Sequence, residues 1–210
     1  LYAFSQSLIL ITSSEGAEIM ELGSRETWTV IHGLILGTLF LLAFGGGLAG
    51  LWSLRPGLLT ATGIRERMSR LYIGTWAMAL VAWATVFSGT WIVYPWYRVK
   101  LAPVGDDPYA GCAGATIPTD TCSPRDFLKS NVSGETEWWH AFGMEWKEHI
   151  SWAAPILATA VAFLVYYYGP RLIGRPWLRA AVIVMFVAAF AAAAVGGVFG
   201  AFLNKIAPIV

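Results

Sequence analysis

Three histidines and two cysteines are the residues of this 210-residue chain whose types and spacing point to chemistry. His140 and His149 lie in the stretch 137–168, EWWHAFGMEWKEHISWAAPILATAVAFLVYYY, where a charged, tryptophan-rich entry runs unbroken into an apolar span. His32 lies one turn inside another apolar span. Imidazole is a common metal ligand, and in hydrocarbon it needs a partner, because an unsatisfied polar group there is costly. Cys112 and Cys122 stand ten apart in a loop rich in Gly, Pro, Asp and Thr. That setting suits a disulfide in an oxidising compartment better than a metal site needing four ligands. No nucleophile elbow, phosphate-cradling glycine loop or protease-type metal motif is present.

The elements that must position these residues are apolar helices. Hydrophobic residues make up 57% of the chain and charged residues 13%, outside the range of soluble domains and within that of polytopic membrane proteins. The net charge of +1, without a basic run, excludes nucleic-acid binding. Spans at about 28–54, 71–97, 148–168 and 180–203 are long enough to cross roughly 30 Å of hydrocarbon. They predict an all-α membrane protein, a four-helix transmembrane bundle over 28–210 with a disulfide-tied outer loop at 98–147. Residues 1–27 read as an interfacial segment, since LYAFSQSLILIT is too short to cross a bilayer. Because the chain begins at Leu1 rather than Met, processing or further upstream residues are expected. At 100° per residue His32, Gly46 and Gly50 share a face, so Gly46 is a candidate for close approach of a helix or a flat ligand. Pro155 frees the carbonyl of Ser151 and predicts a kink near His149.

Orientation follows from charge and cysteines. The short loops 55–70 and 169–179 hold seven arginines and one acid, which places them in the cytoplasm. The disulfide places the long loop outside, so both termini are expected on the outer side of an inner or plasma membrane. The first span then runs inward from Trp28 and the third from about Trp146, which puts His32 and His149 at one depth, roughly 6 Å inside the outer interface. Two imidazoles on non-adjacent helices at equal depth suit the axial positions of one haem b. His140 is the alternative ligand, with Met144 one turn on as a possible thioether. Arg98 and Lys100, leaving the second span on that side, are candidates for pairing with haem propionates. Glu135, Glu137, Glu145 and Glu148 read as a solvated rim, and Trp28, Trp96, Trp146 and Trp177 as interfacial belt residues.

This layout of helix number and histidine placement, over about 180 residues, resembles the membrane-anchored b-type cytochromes. In those proteins a small helical bundle holds haem through histidines on different helices. The resemblance implies a subunit that relays electrons between membrane or peripheral redox subunits and quinone or a cytochrome. Some such families carry four ligating histidines for two haems; three histidines here leave room for one bis-histidine haem. The alternative is a structural subunit of a respiratory or photosynthetic assembly, binding other subunits, lipid or pigment. A small transporter is disfavoured because no acid or base stands in the middle of a span.

Overall fold

A run of two dozen apolar residues without charge has one solution in lipid, a helix that satisfies every backbone group internally. The computed structural model describes residues 23–58, 60–101, 105–132 and 134–208. Four helices in it are long and apolar enough to cross a membrane, which marks an integral multi-pass membrane protein. They are α1 (Ser24–Ser53), α2 (Gly63–Tyr97), α4 (Trp139–Leu172) and α5 (Pro176–Ile206); α3 (Pro124–Ser130) is a short helix in the loop between α2 and α4. Of the expected interfacial lead-in, residues 1–22 lie outside the described residues. Neighbours in sequence pack along their length, and α1 and α5 close the ring through a narrower contact.

Each span starts earlier than hydropathy predicts, because hydropathy counts only the part that lipid tolerates. Thr60 accepts from Gly63 N–H (3.2 Å) and caps α2, so the arginines at 65, 67 and 70 ride on its first turns rather than in a loop. α4 begins nine residues before 148, which shortens the connecting loop to 98–138. Its entry is set by Asn131, in the left-handed conformation (φ 52°), whose Oδ1 accepts from the N–H groups of Thr136 (3.0 Å) and Glu137 (2.9 Å). Cys112 and Cys122 are disulfide-bonded, with Cα atoms 4.8 Å apart. This bond and α3 build a cap over one end of the bundle.

Two apolar clusters hold the molecule together. The larger fills the half of the bundle away from the cap, with Leu51, Leu71, Met78, Val161, Val165, Val182 and Phe186 almost fully buried. The smaller joins cap to bundle through Tyr97, the disulfide, Phe127, Leu128, Met144 and Leu203. Met144 is thus a packing residue.

The first span differs from the expected phase. Residues 31–35 are π-helical, and the extra residue rotates everything after it by about 100° relative to His32. Gly46 therefore lies exposed, with nothing within 4 Å of the point where a Cβ would stand, whereas Gly47 is buried and a Cβ there would lie 2.6 Å from Phe186 Cζ. Gly74 of α2 faces the Gly47 backbone, its Cβ position 3.5 Å from Gly47 N, so two backbones meet where small residues permit it. Gly47→Ala is expected to cost about 1–3 kcal/mol by overpacking. Gly46→Ala should be neutral or slightly stabilising. Thermal unfolding in detergent checks both, and equal losses would refute the phase shift.

Candidate functional site

Between the two apolar clusters lies a layer with few large buried side chains. Its interior holds His32, Ser88, Gly89, Lys147, Ser151, Gly196 and Gly200. The helices are irregular at this end of the bundle. π-helical turns occur at Ile31–Ile35, Gly89–Val93 and Trp139–Met144, and a 3-10 turn occupies Ile150–Trp152. Such turns re-aim side chains and recur at functional sites. The first holds His32, the second begins with the glycine under its ring, the third holds His140, and the 3-10 turn directly follows His149. The expected kink thus takes the form of an interrupted ladder one turn before Pro155, which has no N–H to offer Ser151.

His32 sits in a notch on α2. A Cβ at Gly89 would stand 2.8 Å from the ring's Cε1, so only glycine admits it. The ring's Nδ1 lies 3.0 Å from Ser88 Oγ, and Ser88 donates its one hydroxyl proton to the Thr85 carbonyl at 3.1 Å. With that proton given to Thr85, Ser88 accepts from His32, an arrangement that assigns the ring's proton to Nδ1. Nε2 keeps its lone pair. A ligating histidine is commonly prepared this way, with its other nitrogen donating to the protein.

His149 also donates from Nδ1, to a different kind of acceptor. Its Nδ1 donates to the carbonyl of Glu145 at 3.0 Å, with the Glu145 carboxylate at 3.4 Å. Its depth also matches. Tyr97 Oη and His140 Nδ1 are 2.8 Å apart, which fixes α2 against α4. Gly89 lies eight residues below Tyr97 and His149 nine below His140, about 12 and 13.5 Å at 1.5 Å per residue. The two rings differ in direction. His149 is 69% exposed and turned away from the interior, on the turn whose Trp152 packs on Phe87 and Trp91. No hydrogen bond or ring contact joins it to His32 among the described residues.

The other expected site residues are dispersed. Arg98 Nη1 donates to the Tyr94 hydroxyl at 2.7 Å, and the guanidinium lies over that ring, 5.4 Å from its centroid. Lys100 is exposed beyond the helix end, and Gly46 faces outward. His140 points inward, bonded to Tyr97, about two turns toward the cap from His32. Of the four glutamates, Glu135, Glu137 and Glu145 are exposed and Glu148 half-buried.

Residues not anticipated are Ser88, Gly89 and Lys147. Lys147 stands four residues before Ser151, a helical spacing that places both on one face, turned toward Gly196. That pattern was available in the sequence. A groove of about 720 Å³ also runs between α1 and α2, lined by Trp28, Ile31, Phe87, Trp91 and Ser88 among others. It brings an apolar, aromatic surface to the serine that holds His32.

No family model, curated protein or solved structure matches this chain.

Nitrogen NMR of histidine-labelled protein should show His32 neutral with Nδ1 protonated, and Gly89→Ala should displace the ring and shift both nitrogens. A proton found on Nε2 would overturn the assignment.

Proposed function

We propose that this chain is an electron-transfer subunit of a membrane complex, holding one haem b near the outer face, with His32 and His149 as axial ligands. The observation that carries the reading is the matched pair of imidazoles. They lie on alternate helices at one depth, each with Nδ1–H committed to a protein acceptor and Nε2 left free. An iron porphyrin bound there would supply a one-electron couple.

The chain's own residues do the rest. Thr85 and Ser88 hold His32 in one tautomer and one plane, and increase its basicity toward a metal. Gly89 gives the ring room to sit against α2. The small residues of the layer admit polar side chains, with Ser151 seated at Gly196 and Lys147 at Gly200, where other depths are filled by Leu, Val and Phe. His149 meets the requirements of depth and tautomer but faces outward, and the broken ladder at Ile150–Trp152 is where its direction is set. The groove beside Ser88 suits a flat, membrane-dissolved electron carrier such as quinone, for which Trp28, Phe87 and Trp91 offer stacking surface. In this reading the disulfide-tied cap faces the periplasm or the cell exterior.

The test is the reduced-minus-oxidised visible spectrum of the purified chain in its parent complex, with His32→Ala and His149→Ala. A b-type α band lost in both variants is the expected result. A band lost in the first and kept in the second would overturn His149 as ligand. Absence of a band from the wild-type complex would overturn the reading in favour of a structural subunit.

A further inference from the structure

We infer that the end of the bundle away from the cap carries a binding site for the phosphate of an anionic phospholipid, built by Arg55, Arg67 and Arg179. The site stands apart from the histidines and does not depend on the haem reading. It gathers around the end of α1. Arg67 Nη1, from α2, donates to the Ser53 carbonyl at 3.4 Å, and that oxygen also accepts the Arg55 N–H at 2.8 Å. Arg179 Nη1, from α5, donates to the next carbonyl, that of Leu54. These bonds answer the orphan carbonyls of a helix end and the negative pole of its dipole. They use one N–H of Arg67 and one of Arg179, out of five on each guanidinium. The Arg55 guanidinium lies over the Trp52 ring, 4.4 Å from its centroid.

Neutral carbonyls do not balance three cations. The stretches 55–70 and 169–179 at this end hold seven arginines and one acid, and that acid, Glu66, is paired with Arg70. Among the described residues no carboxylate forms an ion pair with Arg55, Arg67 or Arg179. Guanidiniums gathered at one helix end repel one another, and a phosphate, with several acceptor oxygens, can bond to more than one of them. The level of the site says what carries that phosphate. Trp52 and Trp177, 58% and 71% exposed, stand at this end of membrane-crossing helices, three residues before Arg55 and two before Arg179, which sets them among lipid headgroups. The acyl chains of a phospholipid would cover these indoles; a free phosphate would not. A zwitterionic headgroup would bring an ammonium to a place without a carboxylate, so the favoured lipid bears net negative charge. Arg65 and Arg171 are exposed and make no such bond to the end of α1, and Arg175 lies over the Tyr168 ring.

The test is electron spin resonance of spin-labelled phosphatidylglycerol and spin-labelled phosphatidylcholine on the full chain reconstituted in phosphatidylcholine vesicles. Wild type should immobilise phosphatidylglycerol in preference. One arginine at a membrane surface strengthens the binding of anionic lipid about fivefold, so Arg55→Gln should lower the preference by about that factor. Arg55→Gln with Arg179→Gln should abolish it, whereas Arg65→Gln with Arg171→Gln, which removes as much charge from the same end, should leave most of it. Should the first pair fail to fold, Arg55→Gln alone decides, because the Arg55 guanidinium makes no hydrogen bond among the described residues. No preference in wild type, an undiminished preference in Arg55→Gln, or equal losses in the two pairs overturns the site. A preference abolished by inorganic phosphate, but not by chloride at the same ionic strength, overturns the lipid and assigns the arginines to a free anion.

Discussion

A polar side chain inside a membrane bundle must find its partners within the protein, and that constraint organises the cap-end half of this molecule. Ser88 meets it by giving its proton to Thr85 and its lone pair to His32. Thr159 does the same between α2 and α4, donating to the Pro155 carbonyl at 2.6 Å and accepting from Trp83 Nε1 at 3.0 Å. In both places a hydroxyl closes on its own helix first and then accepts from a ring nitrogen on a neighbouring helix. Each such ring is left with no freedom of tautomer or plane. For tryptophan the result is structural; for histidine it leaves a free nitrogen lone pair with a defined direction.

The same constraint explains the layering. The cluster away from the cap is built mainly from Leu, Val, Met, Phe and Ala, and its buried Thr75 closes on its own helix by donating to the Leu71 carbonyl at 2.9 Å. The cap cluster is pinned by a disulfide and by Tyr97, whose hydroxyl meets His140. From the layer between them up into the cap, the helices deviate from α-geometry three times by π-helical turns and once by a 3-10 turn. An isolated helix gains nothing from those deviations, so the packing of this layer must hold them in place. They are best understood as the means by which polar side chains on otherwise apolar helices are turned toward one another.

Much of this was legible in the amino-acid sequence, and the rest was hidden for identifiable reasons. Four spans, a capping loop and the Cys112–Cys122 bond follow from hydropathy, length and cysteine context, and the structure has them. The break before Pro155 follows from a missing N–H. The phase of α1 could not be read, because an extra residue at Ile31–Ile35 moves the packing glycine from Gly46 to Gly47, and periodicity assumes a regular helix. The direction of His149 could not be read, because it depends on rotation about the α4 axis, which only packing sets. Lys147 was obscured by its neighbours. Within EWKEH it reads as one charge among several, and only the face shared with Ser151 separates it from a solvated rim.

The Tyr97–His140 contact connects these observations. It joins the cap-end termini of α2 and α4, so it sets the height of everything below on both helices, including Gly89 with the His32 ring on one side and His149 on the other. The cap clamps that same junction, since Tyr97 and Met144 are buried against the disulfide and α3. A disulfide-tied loop of this kind is therefore more than a cover. By fixing the register of α2 against α4, it holds imidazoles from two helices at one level, although both cysteines lie outside the spans that carry the histidines. Loosening the cap would let α4 slide or rotate against α2, and the matched depth of His32 and His149 would be the first property lost.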